Sequence, residues 1–263
     1  MAKAALITGG SSGLGLAYAE LLGKQGYKII ILARNQERLD RAVQSLAEKG
    51  ISASGISADV TSIAQMTGAV DKVRSVTSEL DFLILNAGEL TPRLIIDYSS
   101  PEKIKQDLDI DLWGIILSAW SFIPLLNKGS KVLMTSSGFG LIGAAGYAPY
   151  CAAKAGIINF GESLRRELLF RHIGVYVACP GDLDTPQLTA ELAEQPAWMK
   201  EQSSPRSVIP AAVAAKRILK KCRGKSRLLI LPDPSLKLLN LVLKLFPGSW
   251  SRPLLDLVFP RPR

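Results

Sequence analysis

Ser137, Tyr150 and Lys154 stand in an order, and at spacings, that suit proton delivery to a carbonyl oxygen. Tyr150 and Lys154 lie four residues apart in a segment whose apolar positions (Ala152, Ala153, Ala155, Ile157, Ile158) have helical periodicity, so both side chains share one helix face. A free phenol, with a pKa of about 10, is poorly matched to proton transfer near neutrality, and an adjacent ammonium and a cationic oxidised nicotinamide are both expected to lower that value. Tyr150 would then give its proton to the carbonyl oxygen, while Ser137, at the end of an apolar run, holds that oxygen by a hydrogen bond. A Tyr four residues before a Lys recurs on many amphipathic helices, so the pair gains meaning from the motifs set in order around it.

The first of these motifs is Thr8-Gly9-Gly10-Ser11-Ser12-Gly13-Leu14-Gly15, which follows an apolar run and opens an apolar-periodic helix. Glycines there let the backbone turn tightly and approach a pyrophosphate at the positive end of a helix. A dinucleotide held this way meets the end of the next strand with its adenosine ribose, and that position reads Leu32-Ala33-Arg34-Asn35. A guanidinium in place of the carboxylate usual for NAD favours the 2′-phosphate of NADP(H); Ser11 and Ser12 add donors and Arg38 a second cation. Asp59-Val60, after the third run, meets the adenine edge or caps the strand end. NADPH would supply the hydride, Tyr150 the proton, and Lys154 would also bind the nicotinamide ribose.

Positioning these groups requires strands that end where the motifs begin. Apolar, β-branched runs at 4–8, 28–32, 52–58, 82–85, 131–136, 175–179 and 228–231 alternate with helical stretches such as 14–25 and 37–49. The expectation is a doubly wound, Rossmann-type α/β fold: a seven-stranded parallel sheet with helices on both faces and its ligand beyond the carboxyl ends of the strands. Residues 1–234 form this unit, with 187–210, which carries Pro196, Pro205 and Pro210, as a mobile lid or an ordinary surface loop. A basic, apolar extension follows at 235–263.

Composition narrows the function classes. The 263 residues are 48% apolar, enough for a large core. Cys151, Cys179 and Cys222 have neither metal-pair spacing nor the number for a disulfide framework, which fits a reducing compartment and no metal site. The lone His172 reads as a surface residue closing a helix. The run Ala4–Ile7 is too short for a secretory signal core, and no stretch offers the ~20 uncharged apolar residues of a spanning helix. The net charge of +9 divides unevenly: residues 1–199 hold 18 Lys/Arg against 20 Asp/Glu, and residues 200–263 hold 14 against 3. Basic charge beside leucines suits an anionic lipid surface better than nucleic acid, for which no motif is present.

Together, Thr8-Gly-x3-Gly-x-Gly15, Asn86-Ala87-Gly88, Ser137, Tyr150-x3-Lys154 and Pro180-Gly181 resemble the short-chain dehydrogenase/reductase family over roughly residues 1–232. The resemblance implies that Asn86, Ala87 and Gly88 support the sheet and the cofactor ribose. It also implies that Pro180, Gly181, Leu183 and Thr185 line the nicotinamide, with Thr185 reaching its carboxamide. The chain departs from the family at Asp111, where Asn is common; its backbone carbonyl serves a water-linked relay from the lysine, or its carboxylate strengthens or redirects that relay.

Gly181-Asp182-Leu183-Asp184-Thr185-Pro186 and the glycine loop are similar to those of 3-ketodihydrosphingosine reductases, a resemblance that implies NADPH-dependent reduction of a long-chain 2-amino-3-ketone with Asp182 or Asp184 near the ammonium. Residues 236–246 support a lipid independently, because Lys237, Asn240 and Lys244 share a helix face and all else is apolar. Eleven residues at ~1.5 Å each reach about 16 Å, short of a bilayer core of ~30 Å, so the helix lies in an interface. Lys216, Arg217, Lys220, Lys221, Arg223, Lys225 and Arg227 precede it; Trp250, Arg252, Phe259, Arg261 and Arg263 follow. The same helix also suits a subunit groove or a cover over the pocket. A lipid ketone reductase, peripheral on a cytoplasmic membrane face and a homo-oligomer (dimer or tetramer), is the expectation. The rivals are a reductase of another hydrophobic carbonyl (fatty-acyl, steroid or quinone) and a non-catalytic NADP(H)-binding regulator.

Overall fold

Strands buried on both faces make the centre of the structure, a computed structural model in which residues 3–202, 207–222 and 228–246 are described. The strands in chain order are β1 (Ala4–Thr8), β2 (Lys28–Ala33), β3 (Ala53–Ser57), β4 (Leu80–Leu85), β5 (Leu126–Thr135), β6 (Gly174–Ala178), β7 (Leu183–Asp184), β8 (Ile209–Pro210) and β9 (Leu229–Ile230). Seven form one parallel sheet in the order β3-β2-β1-β4-β5-β6-β9, and β7 pairs with β8 in a small parallel sheet of its own. The expected doubly wound architecture and all seven expected strands are present; the β7–β8 pair is too short to leave a periodicity in the sequence.

The helices are α1 (Gly13–Gly23), α2 (Gln36–Glu48), α3 (Ile63–Val76), α4 (Pro101–Leu108), α5 (Gly114–Phe122), α6 (Ala148–Leu168), α7 (Pro186–Glu194), α8 (Ala197–Gln202), α9 (Ala211–Lys221) and α10 (Pro234–Leu245). Side chains alternate across a strand, so Ala4 and Leu6 of β1 join one core layer and Ala5 and Ile7 the other. The first layer packs under α3, α5 and α6 through residues such as Met66, Phe122 and Ile157. The second packs under α1, α2 and α9 through Tyr18, Leu39 and Ile218. The strand order reverses between β1 and β4, which opens a crevice beyond their carboxyl ends.

Three expectations change in detail. By length and composition, the continuous helical stretch Pro101–Leu125 is long and apolar enough to span a membrane, although with Glu102, Lys103, Lys105, Asp107, Asp109 and Asp111 it is not an uncharged apolar stretch. However, 56% of its apolar window is buried inside the protein, where α5 packs on the sheet. In residues 187–210, a loop on sequence grounds, the described part is mostly the helices α7 and α8, and 203–206 lie outside the described residues. The apolar helix expected at 236–246 is α10; its start is tied to the main unit by Asp233, whose carboxylate accepts the Gly181 N–H at 2.8 Å. Arg223, Lys225, Arg227, Trp250, Arg252, Phe259, Arg261 and Arg263 lie outside the described residues, as does the rest of 247–263. His172, in the left-handed region at φ 54°, closes the short 3-10 turn Leu169–Arg171 that continues from α6, and Cys151, Cys179 and Cys222 are buried and unpaired.

Candidate active site

The ends of β1, β2, β4, β5 and β6 open into a single cleft of about 640 Å³. All the residues expected to bind cofactor or catalyse line it except Thr8, Gly15 and Asp111, which stand directly behind its wall. Thr8, fully buried, accepts the backbone N–H of Asn86 at 3.0 Å and of Ala87 at 3.2 Å through its hydroxyl. The Thr135 hydroxyl at the end of β5 donates to the Asn86 side-chain Oδ1 at 3.0 Å. Asn86 is thereby fixed between three strands, which clamps the floor of the crevice.

The glycine loop fits a phosphate group. Gly9 has φ +66°, and a Cβ there would stand 2.9 Å from the Ala87 Cα; one on Gly15 would stand 2.2 Å from the Gly9 carbonyl oxygen. Only a bare backbone permits this turn. Helix α1 begins beside it with Ser12 at its N-cap, no side chain satisfying its first N–H groups and no acidic residue in its first turn. Those donors and the positive helix end therefore face the cleft, an arrangement that suits a pyrophosphate.

At the far end of the crevice Arg34 pairs with Glu89, a residue the sequence reading did not single out although it directly follows Asn86-Ala87-Gly88. Arg38 lines the same end, and its backbone N–H is capped by the Asn35 side chain at 2.8 Å. Asp59 acts as the expected cap, its Oδ1 accepting the Thr61 N–H at 2.9 Å, and it also lines the cleft. Thr185 lines the cleft too, and its hydroxyl caps α7 by accepting the Leu188 N–H at 3.3 Å. Of the two aspartates near it, Asp182 lines the cleft, whereas Asp184 is exposed in β7 and does not.

At the catalytic end, α6 sets Lys154 Nζ 5.1 Å from the centre of the Tyr150 ring, and Ser137 is close enough to act on the Tyr150 phenol. The Ser136 hydroxyl donates to the Lys154 carbonyl at 2.7 Å, pinning this turn of α6 to the end of β5. Lys154 is buried, and its ammonium lies 2.9 Å from Asp111 Oδ1. The expected lowering of the phenol by Lys154 is not what this environment produces. Burial pushes the Tyr150 phenol up, the Asp111 carboxylate adds to the rise, and the nearby Ser137 hydroxyl only partly opposes it.

Beside the reacting groups, Phe139 meets Tyr150 edge-on, with ring centres 6.4 Å apart, and stacks on Tyr147 at 4.7 Å. The Tyr147 hydroxyl donates to Glu191 of α7 at 2.7 Å and accepts from Gln195 at 3.1 Å. Neither periodicity nor motif marks this buried cluster, since its members come from three separate segments. Leu236 of α10 lies against Gly138 and Gly181, so the C-terminal helix starts at the rim next to Ser137.

Residues 3–196 match the family described as short chain dehydrogenase. The chain is 32% identical over 198 residues to carbonyl reductase family member 4 of Danio rerio, covering 75% of this chain and 82% of that protein. It is 31% identical over 232 residues to a 3-ketodihydrosphingosine reductase of Cryptococcus neoformans, covering 83% of this chain and 68% of that protein. Among solved structures, a short chain dehydrogenase from Burkholderia cenocepacia in complex with NADP is similar with a TM-score of 0.75 and 26% identity, covering 88% of this chain and 96% of the other.

Proposed function

The chain belongs to the short-chain dehydrogenase family and is an oxidoreductase acting on a ketone or secondary alcohol, and from that premise we propose that it reduces a long-chain lipid ketone with NADPH, 3-ketodihydrosphingosine being the substrate that fits best. The observation that carries the reading is the convergence of Ser137, Tyr150 and Lys154 at one end of a cleft whose other end holds Arg34 and Arg38.

Each part of the chain has a place in that chemistry. Gly9, Ser11, Ser12, Gly13, Leu14 and the start of α1 would hold the pyrophosphate, with Thr8 and Gly15 shaping the turn. Arg34 and Arg38 would take the 2′-phosphate, Asp59 and Val60 the adenine. Asn86, Ala87, Gly88, Tyr150 and Lys154 would meet the nicotinamide ribose; Pro180, Gly181, Leu183 and Thr185 would border the ring. The bound cofactor supplies a hydride to the carbonyl carbon. Ser137 orients the carbonyl oxygen and Tyr150 donates to it; an alkoxide developing there is a stronger base than a phenolate, so donation runs downhill even from a raised phenol.

Two features support an amino lipid. Asp182 and Glu191 border the cleft, and Glu191 is close enough to act on the Tyr150 phenol, which suits an ammonium beside the ketone. Leu238, Leu241, Leu245 and Phe246 stay exposed on and just after α10, which begins at the rim of the same cleft. An apolar helix so placed suits a peripheral membrane position and a hydrophobic entrance for a lipid chain. A homo-oligomer is part of the same reading.

The test is NADPH oxidation by the purified protein in detergent micelles containing 3-ketodihydrosphingosine, with a simple long-chain ketone and Tyr150→Phe as controls. The expected result is fast turnover that prefers the amino ketone and is lost in Tyr150→Phe. Full turnover in that variant overturns the proton-donor assignment; equal or better use of the simple ketone overturns the sphingolipid assignment in favour of another hydrophobic carbonyl; and NADPH binding without turnover of any ketone overturns the catalytic reading.

A further inference from the structure

Asp111 sits in a π-helical turn, Asp109–Trp113, inserted between α4 and α5. Such a turn carries one extra residue, re-aims the side chains it holds, and appears mostly where function needs it. Here it delivers the Asp111 carboxylate to Lys154 at 2.9 Å, with both side chains almost fully buried. The same oxygen accepts the Glu89 N–H at 3.3 Å. Gly88 makes room, since a Cβ on it would stand 2.6 Å from Asp111 Oδ1 and 3.1 Å from Lys154 Nζ.

A buried ion pair is weak evidence of a gain in stability, because desolvating two charges offsets their attraction. An asparagine would offer one side-chain oxygen to the same two donors without a second buried charge. What the aspartate adds over an amide is therefore its negative charge, placed behind the ammonium that faces Tyr150. We propose that Asp111 is a positioning residue for proton transfer: by pairing with Lys154 it cancels the positive charge beside Tyr150 and keeps the phenol protonated, the form from which ketone reduction starts.

The inference rests on Tyr150 being the proton donor. In reduction the carbonyl carbon gains a hydride from the reduced nicotinamide and the oxygen gains the Tyr150 proton; the phenolate left behind is refilled from water. Oxidation is the reverse and starts from the phenolate, the form a net cation next to Tyr150 would favour. The groups acting on Tyr150 are Lys154 and Cys151 from its own helix, Asp111 from the π turn, Ser137 from the loop after β5 and Glu191 from α7. Burial raises the Asp111 carboxyl above the ordinary carboxylate value and Asp107 adds to the rise, while Lys154, through the 2.9 Å ion pair, and the Glu89 N–H favour the charged form. Asp111 is the carboxylate in direct contact with the ammonium, which makes it the group that decides the net charge.

The test needs no substrate. Tyrosinate absorbance is titrated in the cofactor-free protein, and the contribution of Tyr150 is taken as the difference from Tyr150→Phe. The parent should show no Tyr150 signal below about pH 10, the free phenol value. Asp111→Asn, with an unchanged thermal melt, should bring the midpoint down by about one unit or more, the size of a neighbouring-charge effect. A parent midpoint below about pH 8 overturns the proposal without any Asp111 variant, and so does an Asp111→Asn midpoint equal to or above the parent's. In turnover, Asp111→Asn should move the acid limb of the pH–kcat profile for alcohol oxidation, which needs the phenolate, down by about one pH unit, and an unmoved limb counts against it. If no ketone is reduced but the titration shifts, the substrate reading fails and the electrostatic role of Asp111 stands.

Discussion

Arg34 pairs with Glu89 across the dinucleotide end of the cleft, joining the end of β2 to the segment that follows β4. The Glu89 backbone N–H is in turn bonded to Asp111, which holds Lys154, so one short stretch of chain contacts both ends of the site. Both side chains of the Arg34–Glu89 pair are about half exposed, and an exposed pair of this kind is worth only about 0.2–1 kcal/mol. A 2′-phosphate can outbid it.

On the proposed NADPH reading, Glu89 would compete with the 2′-phosphate for Arg34. Glu89→Gln should then tighten NADPH binding about 1.4- to fivefold and leave NADH unchanged, the range an exposed pair spans. Arg34→Asp should weaken NADPH by about 1.5–3 kcal/mol, the value of hydrogen bonds to a charged group, with little effect on NADH. Fluorescence titration with both dinucleotides checks each; equal changes for the two cofactors would remove the 2′-phosphate argument.

Gly88→Ala should destabilise the fold by about 1–3 kcal/mol, because its Cβ would overlap the Asp111 carboxylate and crowd Lys154 behind the cleft. Chemical denaturation gives the number. Gly129, with open space around its missing Cβ but φ +89°, is the comparison: there strain acts without a clash.

Tyr147→Phe removes the hydroxyl that bonds Glu191 and Gln195. Loss of a buried hydrogen bond to a carboxylate should cost about 1.5–3 kcal/mol and loosen α7 from the start of α6. Hydrogen exchange in residues 186–202 should accelerate while that of β1 and β4 does not.

Burial pushes the Cys179 and Cys222 thiols up to about 12 and raises the Cys151 thiol as well. At pH 8, well below those values, the thiolate fraction is negligible in the folded protein. A thiol-reactive dye should therefore label none of the three until denaturant is added. Labelling of the native protein at pH 8 would show that one of these sites opens.

Removing the chain after Pro234 tests membrane contact ambiguously, since Leu236 lies against Gly138 and Gly181 at the active site. Substituting the outward residues Leu238, Leu241 and Leu245 with glutamate avoids that contact. Co-sedimentation with anionic phospholipid vesicles should fall at least tenfold in the triple variant, while reduction of a short soluble ketone continues. Unchanged sedimentation would dismiss α10 as the anchor.

The local features of this protein were legible along the chain. Seven apolar runs alternating with helical periodicity specify a parallel sheet covered on both faces, because a strand without polar positions must be buried on both sides. Motifs at strand ends follow from the same geometry: Gly9 to Gly15, Arg34, Asn86 and Ser137 come directly after strands, and in this topology strand ends meet in one crevice. Tyr150 and Lys154 share a helix face by spacing alone. Only the tertiary structure decided which charges face one another. Neither the Arg34–Glu89 pair nor the cluster of Tyr147, Glu191 and Gln195 has a local pattern, since their partners lie 44 to 55 residues apart. Asp111 was visible as an unusual residue, but its distance to Lys154 depends on a π-helical turn that leaves no periodicity to read. The sign of its effect on Tyr150 follows from its negative charge, and the size from burial, which removes the water that would otherwise screen the carboxylate from the phenol.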